Sequence, residues 1–188
     1  MPLEQGNPSI VGSVIGYAVS FALGFIGALL MEKYKRGQAS KQAALEIAST
    51  SIAIAKEIAD RIREFDKANF STKQSSLANY FSSYESIAGQ DSLHNFDEAL
   101  KRAGFLGQKC FNSLQKSRKA IVKVEGWHSN LRAGVRTSTG KINNPGSLAT
   151  YRGLLVEARA TIADSLTKAK RFAGRDTKKI IEVYLEEE

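Results

Sequence analysis

The sequence predicts an all-α protein, with a single N-terminal transmembrane helix followed by a cytoplasmic bundle of about five helices. Residues 10–31 are apolar and carry no charge. Later apolar residues recur three and four positions apart, as in amphipathic helices, and no run alternates residue by residue as a strand does. We therefore expect a short tail (1–9), a transmembrane helix (10–31), a basic juxtamembrane segment (32–37) and a helical cytoplasmic domain (38–188).

The segment 10–31 has the length of a membrane crossing. Its 22 residues rise about 33 Å as a helix, against a hydrocarbon core of roughly 30 Å. A cleaved signal peptide and a buried core helix are the alternatives. A signal peptide begins with a basic segment, whereas the residues before the span include Glu4 and no Lys or Arg. A core helix of this length would carry a polar face, which the span lacks.

The charges that flank the span predict its orientation. Lys33, Lys35 and Arg36 follow it closely, and no basic residue precedes it. Lys and Arg near a span favour the cytoplasmic side. We therefore expect a single-pass protein of the cell membrane, with the N-terminus outside and the C-terminal domain in the cytoplasm.

A ladder of small residues runs along the span at four-residue spacing. Its members are Gly12, Gly16, Ser20, Gly24 and Ala28. Such spacing keeps small side chains on one helical stripe, where a second helix can approach closely. The ladder predicts association of the span with itself or with other membrane subunits. The alternative is a span that is merely rich in glycine and has no partner.

Apolar periodicity and capping residues divide the cytoplasmic domain into helices. The first helix has a seam of apolar residues, widened on one side by Ile47, Ile54, Ile58 and Phe65. The seam consists of Leu45, Ala48, Ile52, Ala55, Ala59 and Ile62. Later helices are predicted to begin at Ser71 or Thr72, at Asp91 or Ser92, near Leu106, at Ser147 and at Asp176. Gly89, Gly104 and Gly174 are predicted helix ends, and the segment Thr137–Gly146 is a predicted loop.

Positive charge is concentrated in the second half of the chain. The net charge is +8, and residues 109–175 hold fourteen Lys and Arg against three acidic residues. Lys116, Lys119 and Lys123 share one face of a helix by their spacing, and Lys168 with Arg171 forms a second patch. These residues predict binding of anionic membrane lipid or an acidic partner, while a solvated helix face is the alternative. The lack of a known nucleic-acid-binding motif argues against nucleic acid.

The search for catalytic chemistry finds only isolated residues. The segment Gly134–Ile142 departs from a phosphate-binding loop in its glycine spacing and in having Ile142 after the lysine. His94, His128 and Cys110 have no partner residues at a telling spacing, so a structural role is predicted for each. We therefore predict no catalytic, cofactor-binding or metal-binding residues, and a protein that is not an enzyme.

These observations predict a membrane-anchored helical adaptor or assembly subunit. Its span associates through the ladder, and its basic cytoplasmic domain holds a partner. A pore-forming or membrane-perturbing effector, such as a toxin, a holin-like protein or a defence effector, is the first alternative. A subunit of an enzyme complex with a shared site is the second.

Overall fold

The computed structural model describes residues 8–69, 76–137 and 145–186, with the backbone alone at 8–16, 18, 136, 137 and 145. Within these ranges the chain is helical and contains no strand, which confirms the all-α prediction. The helices are α1 (Pro8–Asn69), α2 (Ser76–Ser83), α3 (Gln90–Arg102), α4 (Gly107–Thr137), α5 (Pro145–Ala169) and α6 (Arg175–Glu186). A 3₁₀ turn at Ala103–Leu106 joins α3 to α4.

Helix α1 passes without a break through the predicted boundary at Gly37. A single glycine costs a helix only about 1 kcal/mol relative to alanine, and Arg36 pairs with Glu32 one turn earlier on the same helix. By its internal contacts the chain divides between Ala39 and Ser40 into two compact units, which we call the N-terminal unit (1–39) and the helical unit (40–188).

The prediction of a membrane span concerns the N-terminal unit. Within the residues that the structure describes, no helix offers an apolar stretch long enough to cross a lipid bilayer. The predicted span starts among residues whose side chains lie outside that description, at 10–16 and 18, and these include Gly12 and Gly16. The transmembrane assignment therefore stays a prediction.

Two pairs of helices in the helical unit are antiparallel: α4 with α5, and α1 with α3. Ser113 and Ser117 of α4 contact Asp164 and Thr161 of α5, so these helices are antiparallel. Helices α1 and α3 are antiparallel too, since Glu46 pairs with Arg102 while Glu57, further along α1, contacts Gly89 before α3.

Two further contacts identify the ends of the unit. At one end the Ser40 hydroxyl donates to the Phe105 carbonyl at 3.0 Å, and we call this the Phe105 end. At the other end Phe65, near the end of α1, packs on Tyr151, near the start of α5, and we call this the Tyr151 end. The chain enters the helical unit at the Phe105 end.

The buried face of α1 is centred on the widening side of the predicted apolar face, and it also includes Ala48 and Ala55 of the predicted seam. Ile47, Ile54 and Ile58 are fully buried, whereas Leu45 of the predicted seam is 40% exposed. Ser51 is buried at the centre of this face, although its hydroxyl makes no hydrogen bond in the described part of the chain. Because Ser51 is polar, a prediction based on apolar spacing does not place its row of residues in the core.

Carboxylates from neighbouring helices end α2 earlier than predicted and start α3. Helix α2 stops at Ser83 rather than at Gly89. The chain between α2 and α3 donates its amides to acids on α1 and α4: Ile87 N–H to Glu125 at 3.0 Å, and Gly89 N–H to Glu57 at 2.7 Å. The predicted first residues of α2, Ser71 and Thr72, lie outside the described residues.

The remaining helix boundaries differ from prediction by a few residues. The chain continues past Gly104 in the 3₁₀ turn and changes direction at Gly107, whose φ of 77° suits glycine. Helix α5 begins at Pro145, two residues before the predicted cap Ser147. Proline is favoured in a first helical turn because its missing N–H has no partner there. Helix α5 ends at Ala169, before the predicted stop at Gly174.

Glu57 serves α3 as a cap supplied from another helix, and its loss should be measurable. The Ser92 hydroxyl also donates to this carboxylate, at 2.7 Å. We expect Glu57→Ala to lower the free energy of unfolding by about 1 kcal/mol, the typical effect of losing an N-cap. Urea denaturation followed by far-ultraviolet circular dichroism measures this loss. Lys56→Ala is the matched control, and equal losses in the two variants would contradict the capping role.

Candidate functional site

The predicted basic residues of α4 form an exposed row, which we call the lysine row (Lys116, Lys119 and Lys123). Its charge is partly matched by acids of α5. Lys123 Nζ lies 3.9 Å from a carboxylate oxygen of Glu157, and Lys116 is among the cations that lower the pKa of Asp164. The row is therefore less positive than its lysine count indicates.

Asp164 also joins the lysine row to the predicted second patch. Lys168 donates to Asp164, and Ser113 of α4 donates to the same carboxylate oxygen at 2.5 Å. The hydrogen bond from Lys168 is the main reason that the pKa of Asp164 is lowered, followed by the bond from Ser113. Lys168 thus pairs with a carboxylate whose pKa is also lowered by the charge of Lys116, although the two lysines are far apart in sequence.

A groove opens where α4 begins and α5 ends, at the Phe105 end of the helical unit. We call it the basic groove; it has a volume of about 420 Å³. Its lining comprises Leu106, Gly107, Gln108, Lys109, Cys110, Lys168, Arg171 and Phe172. The predicted patch residues Lys168 and Arg171 both lie in it. Lys109 was not among the predicted binding residues because its place in the groove depends on how α4 meets α5.

A second cluster, the His128 cluster, is buried at the Tyr151 end and combines residues of four helices. Its members are Phe65 of α1, Tyr80 and Phe81 of α2, His128 of α4 and Tyr151 of α5. The Phe65 ring meets those of Tyr80, Phe81 and Tyr151 edge-on, with centroids 5.3–6.3 Å apart. Edge-to-face packing of this kind stabilises aromatic rings beyond the burial of their area.

Hydrogen bonds give the His128 cluster a defined protonation pattern. His128 Nε2 lies 3.0 Å from the Tyr84 carbonyl oxygen, and a carbonyl only accepts, so Nε2 carries a proton. In the neutral ring Nδ1 then accepts from the Tyr151 hydroxyl, at 2.9 Å. The Tyr80 hydroxyl lies 3.2 Å from the Tyr151 oxygen and 3.4 Å from the Arg61 carbonyl oxygen.

Burial controls the ionisation of this cluster. Desolvation lowers the pKa of His128, and the nearby charges of Arg61 and Arg132 lower it further. Desolvation also raises the pKa of Tyr151, and it raises that of Tyr80 to about 12. His128 is fully buried and both of its ring nitrogens have protein partners. This geometry fits the structural role that the sequence predicts for His128 rather than contact with a substrate.

The other residues considered for chemistry are separated in space. Cys110 is buried, and desolvation raises the pKa of its thiol to about 11, so it is a poor nucleophile at neutral pH. His94 is exposed on α3. Most of the glycine-rich segment 134–142 lies outside the described residues. No group of three or more His, Cys, Asp or Glu in the described ranges is arranged to hold a metal ion.

The basic groove and the lysine row together contain all five predicted basic residues. Comparison with known protein families, curated proteins and solved structures finds no match for this chain.

Proposed function

We propose that this chain is a membrane-anchored helical adaptor or assembly subunit without enzymatic activity. In this proposal residues 10–31 anchor it in the cell membrane, with the N-terminus outside and the helical unit in the cytoplasm. The span associates with itself or with other membrane subunits, and the helical unit presents its basic surface to an acidic partner or to anionic lipid.

The observation that carries the proposal is an apolar helix exposed on every side. In the described part of the predicted span, from Tyr17 to Met31, every described side chain is exposed; Phe21, for example, is 78% exposed and Leu23 is 65% exposed. Full burial of one large apolar side chain is worth roughly 1.5–3 kcal/mol. A helix that is apolar all round needs a cover on all sides, and a bilayer provides one.

The small-residue ladder supports association of the span. Around the position that a Cβ atom would occupy at Gly24, no non-local heavy atom lies within 4 Å. Ser20 and Ala28 continue this stripe one turn to either side. Small residues at such spacing allow two helix backbones to come into close contact. Gly12 and Gly16 extend the ladder in sequence only, since their surroundings are outside the described residues.

Crosslinking in native membranes tests the anchor and the ladder together. We expect the full chain to remain in the membrane fraction after an alkaline wash, and to crosslink into complexes. The double substitution Gly16→Leu and Gly24→Leu should reduce the crosslinked fraction severalfold, because two leucines hold the helix backbones apart.

The control for this experiment is Ala22→Leu, which enlarges a residue on the opposite side of the same helix. It should leave crosslinking at the level of the unsubstituted chain. Release of the chain by the alkaline wash would refute the anchor. Equal crosslinking of the double variant and the unsubstituted chain would refute association through the ladder.

A further inference from the structure

We propose that the Phe105 end of the helical unit lies against an anionic lipid bilayer, with lipid phosphate bound in the basic groove. The contact surface consists of Phe105 and Phe172, together with Lys109, Lys168 and Arg171. This inference rests on the proposed membrane anchor and assigns a lipid-binding role to one part of the basic surface.

The chain enters the helical unit at the Phe105 end. Ser40 is the first residue of this unit and donates to the Phe105 carbonyl at 3.0 Å. Only residues 32–39 separate Ser40 from the predicted span. An eight-residue connection spans at most about 28 Å even when fully extended, so an inserted span limits how far Ser40 can lie from the membrane. The Tyr151 end lies at the opposite end of the helical unit.

Aromatic and basic side chains lie together at the Phe105 end. Phe105 is 58% exposed and Phe172 is 37% exposed, although burial of a phenylalanine side chain is favourable by roughly 1.5–3 kcal/mol. Phe172 lines the groove beside Arg171, and Phe105 precedes the groove residue Leu106. Surfaces that bind membranes combine apolar residues, which enter the interface, with Lys and Arg, which attract anionic lipid.

Two cations of the groove are available to a ligand. Neither Lys109 nor Arg171 forms an ion pair with any described residue, while Lys168 shares its charge with Asp164. The neighbouring Lys170 lies outside the groove lining and pairs with Glu182 at 2.8 Å. The lysine row is different, because Asp164 and Glu157 of α5 lie near it.

These features favour a lipid over a free phosphate ion or an acidic peptide. An inorganic ion would use the cations and leave the two phenylalanines in water. A lipid surface uses both sets of groups at once, and the groove lies at the end of the unit where the chain enters from the proposed anchor. The occupant of the groove is therefore the phosphate of an anionic phospholipid.

Fluorescence quenching in vesicles tests the contact directly. The full chain has one tryptophan, so Trp127→Phe provides a background for single reporters. Phe105→Trp and Phe172→Trp place reporters on the surface, and Val183→Trp is the control, because Val183 is 54% exposed on α6 and lies outside the groove lining. The vesicles are phosphatidylcholine with brominated phosphatidylglycerol. We expect strong quenching at 105 and 172 and little at 183.

Charge variants then test the role of the groove. Each basic residue that lies at an anionic surface raises the ratio of docked to undocked units roughly fivefold. Replacing Lys109 and Arg171 by Gln should therefore lower the ratio of docked to undocked units about 25-fold. The matched control replaces Lys56 and Lys67 of α1 by Gln, which removes the same charge from exposed residues outside the groove and the lysine row, and it should leave quenching unchanged.

Three outcomes would overturn the groove proposal. They are equal quenching at 105, 172 and 183, equal loss of quenching in the two double Gln variants, and equal quenching when the brominated lipid is phosphatidylcholine in vesicles without phosphatidylglycerol. An alkaline wash of the same vesicles reports on the anchor separately. If the chain is released by the wash, the anchor is refuted. Quenching measured before the wash still decides the groove proposal.

Discussion

Replacing Tyr151 by Ala is expected to lower the free energy of unfolding of the helical unit by about 3–5 kcal/mol, the range for large aromatic residues in a core. Tyr151 is among the largest fully buried side chains of the protein. Its ring contacts Phe65, Phe81 and His128, so its removal leaves a cavity between α1, α2 and α4. Domains of this size are typically stable by only 5–15 kcal/mol.

The variant Tyr151→Phe separates packing from hydrogen bonding. It keeps the ring and removes the hydroxyl, so His128 Nδ1 loses its donor and Tyr80 loses one partner. We expect this variant to lose about 1–3 kcal/mol, the effect of leaving a buried polar atom unpaired. Urea denaturation followed by circular dichroism measures both variants. A loss from Tyr151→Ala that is no larger than that from Tyr151→Phe would contradict the packing role of the ring.

Acidification below pH 6.5 is expected to destabilise the protein through His128. Its pKa in the folded chain is lowered from the ordinary value of 6.5, mainly by desolvation and then by Arg61 and Arg132. Between the lowered pKa and 6.5 the unfolded state binds more protons, so acid favours unfolding. The contribution of His128 to the free energy of unfolding is fully present above pH 6.5, and it is lost as the pH falls through the lowered pKa. One proton gives a slope of at most about 1.4 kcal/mol per pH unit.

The titration of Glu125 changes the free energy of unfolding in the direction opposite to that of His128. The two contributions therefore have to be measured separately. Burial raises its pKa from 4.5, so the folded state binds more protons just above pH 4.5, and acid favours folding there. The variant His128→Gln retains Glu125 but has no titrating ring at position 128. The free energies of unfolding of both proteins, measured by urea denaturation between pH 5 and 7, isolate the contribution of His128. Identical slopes in this range would contradict it.

The sequence predicts the helices well because their signals are local. Ile47, Ile54 and Ile58 recur at helical spacing, and all three are buried. Helix boundaries are less predictable, since Glu57 and Glu125 bind backbone amides that lie more than thirty residues away in sequence. The exposed Leu45 and the buried Ser51 have a similar cause, because the packing of neighbouring helices decides which row of α1 is covered.

The candidate sites are predicted only in part for the same reason. The spacing of Lys116, Lys119 and Lys123 within one helix is sufficient to place them on one face. The acids that oppose them belong to α5, and no local pattern relates the two helices. Likewise, Lys109 and Phe172 are far apart in sequence and line one groove only because α4 begins where α5 ends.

Hydrogen bonds link His128 through Tyr151 and Tyr80 to the Arg61 carbonyl in one row. This row allows the core to accept a proton without moving its heavy atoms. If Nδ1 gains a proton, it donates to the Tyr151 oxygen, Tyr151 donates to Tyr80, and Tyr80 donates to the Arg61 carbonyl, while Nε2 still donates to Tyr84. At most two hydroxyl hydrogens rotate, and every polar atom in the row keeps a partner. Acid therefore weakens the fold by burying a charge and not by breaking hydrogen bonds. The circular dichroism spectrum of the folded protein should then stay constant over the pH range in which its stability falls.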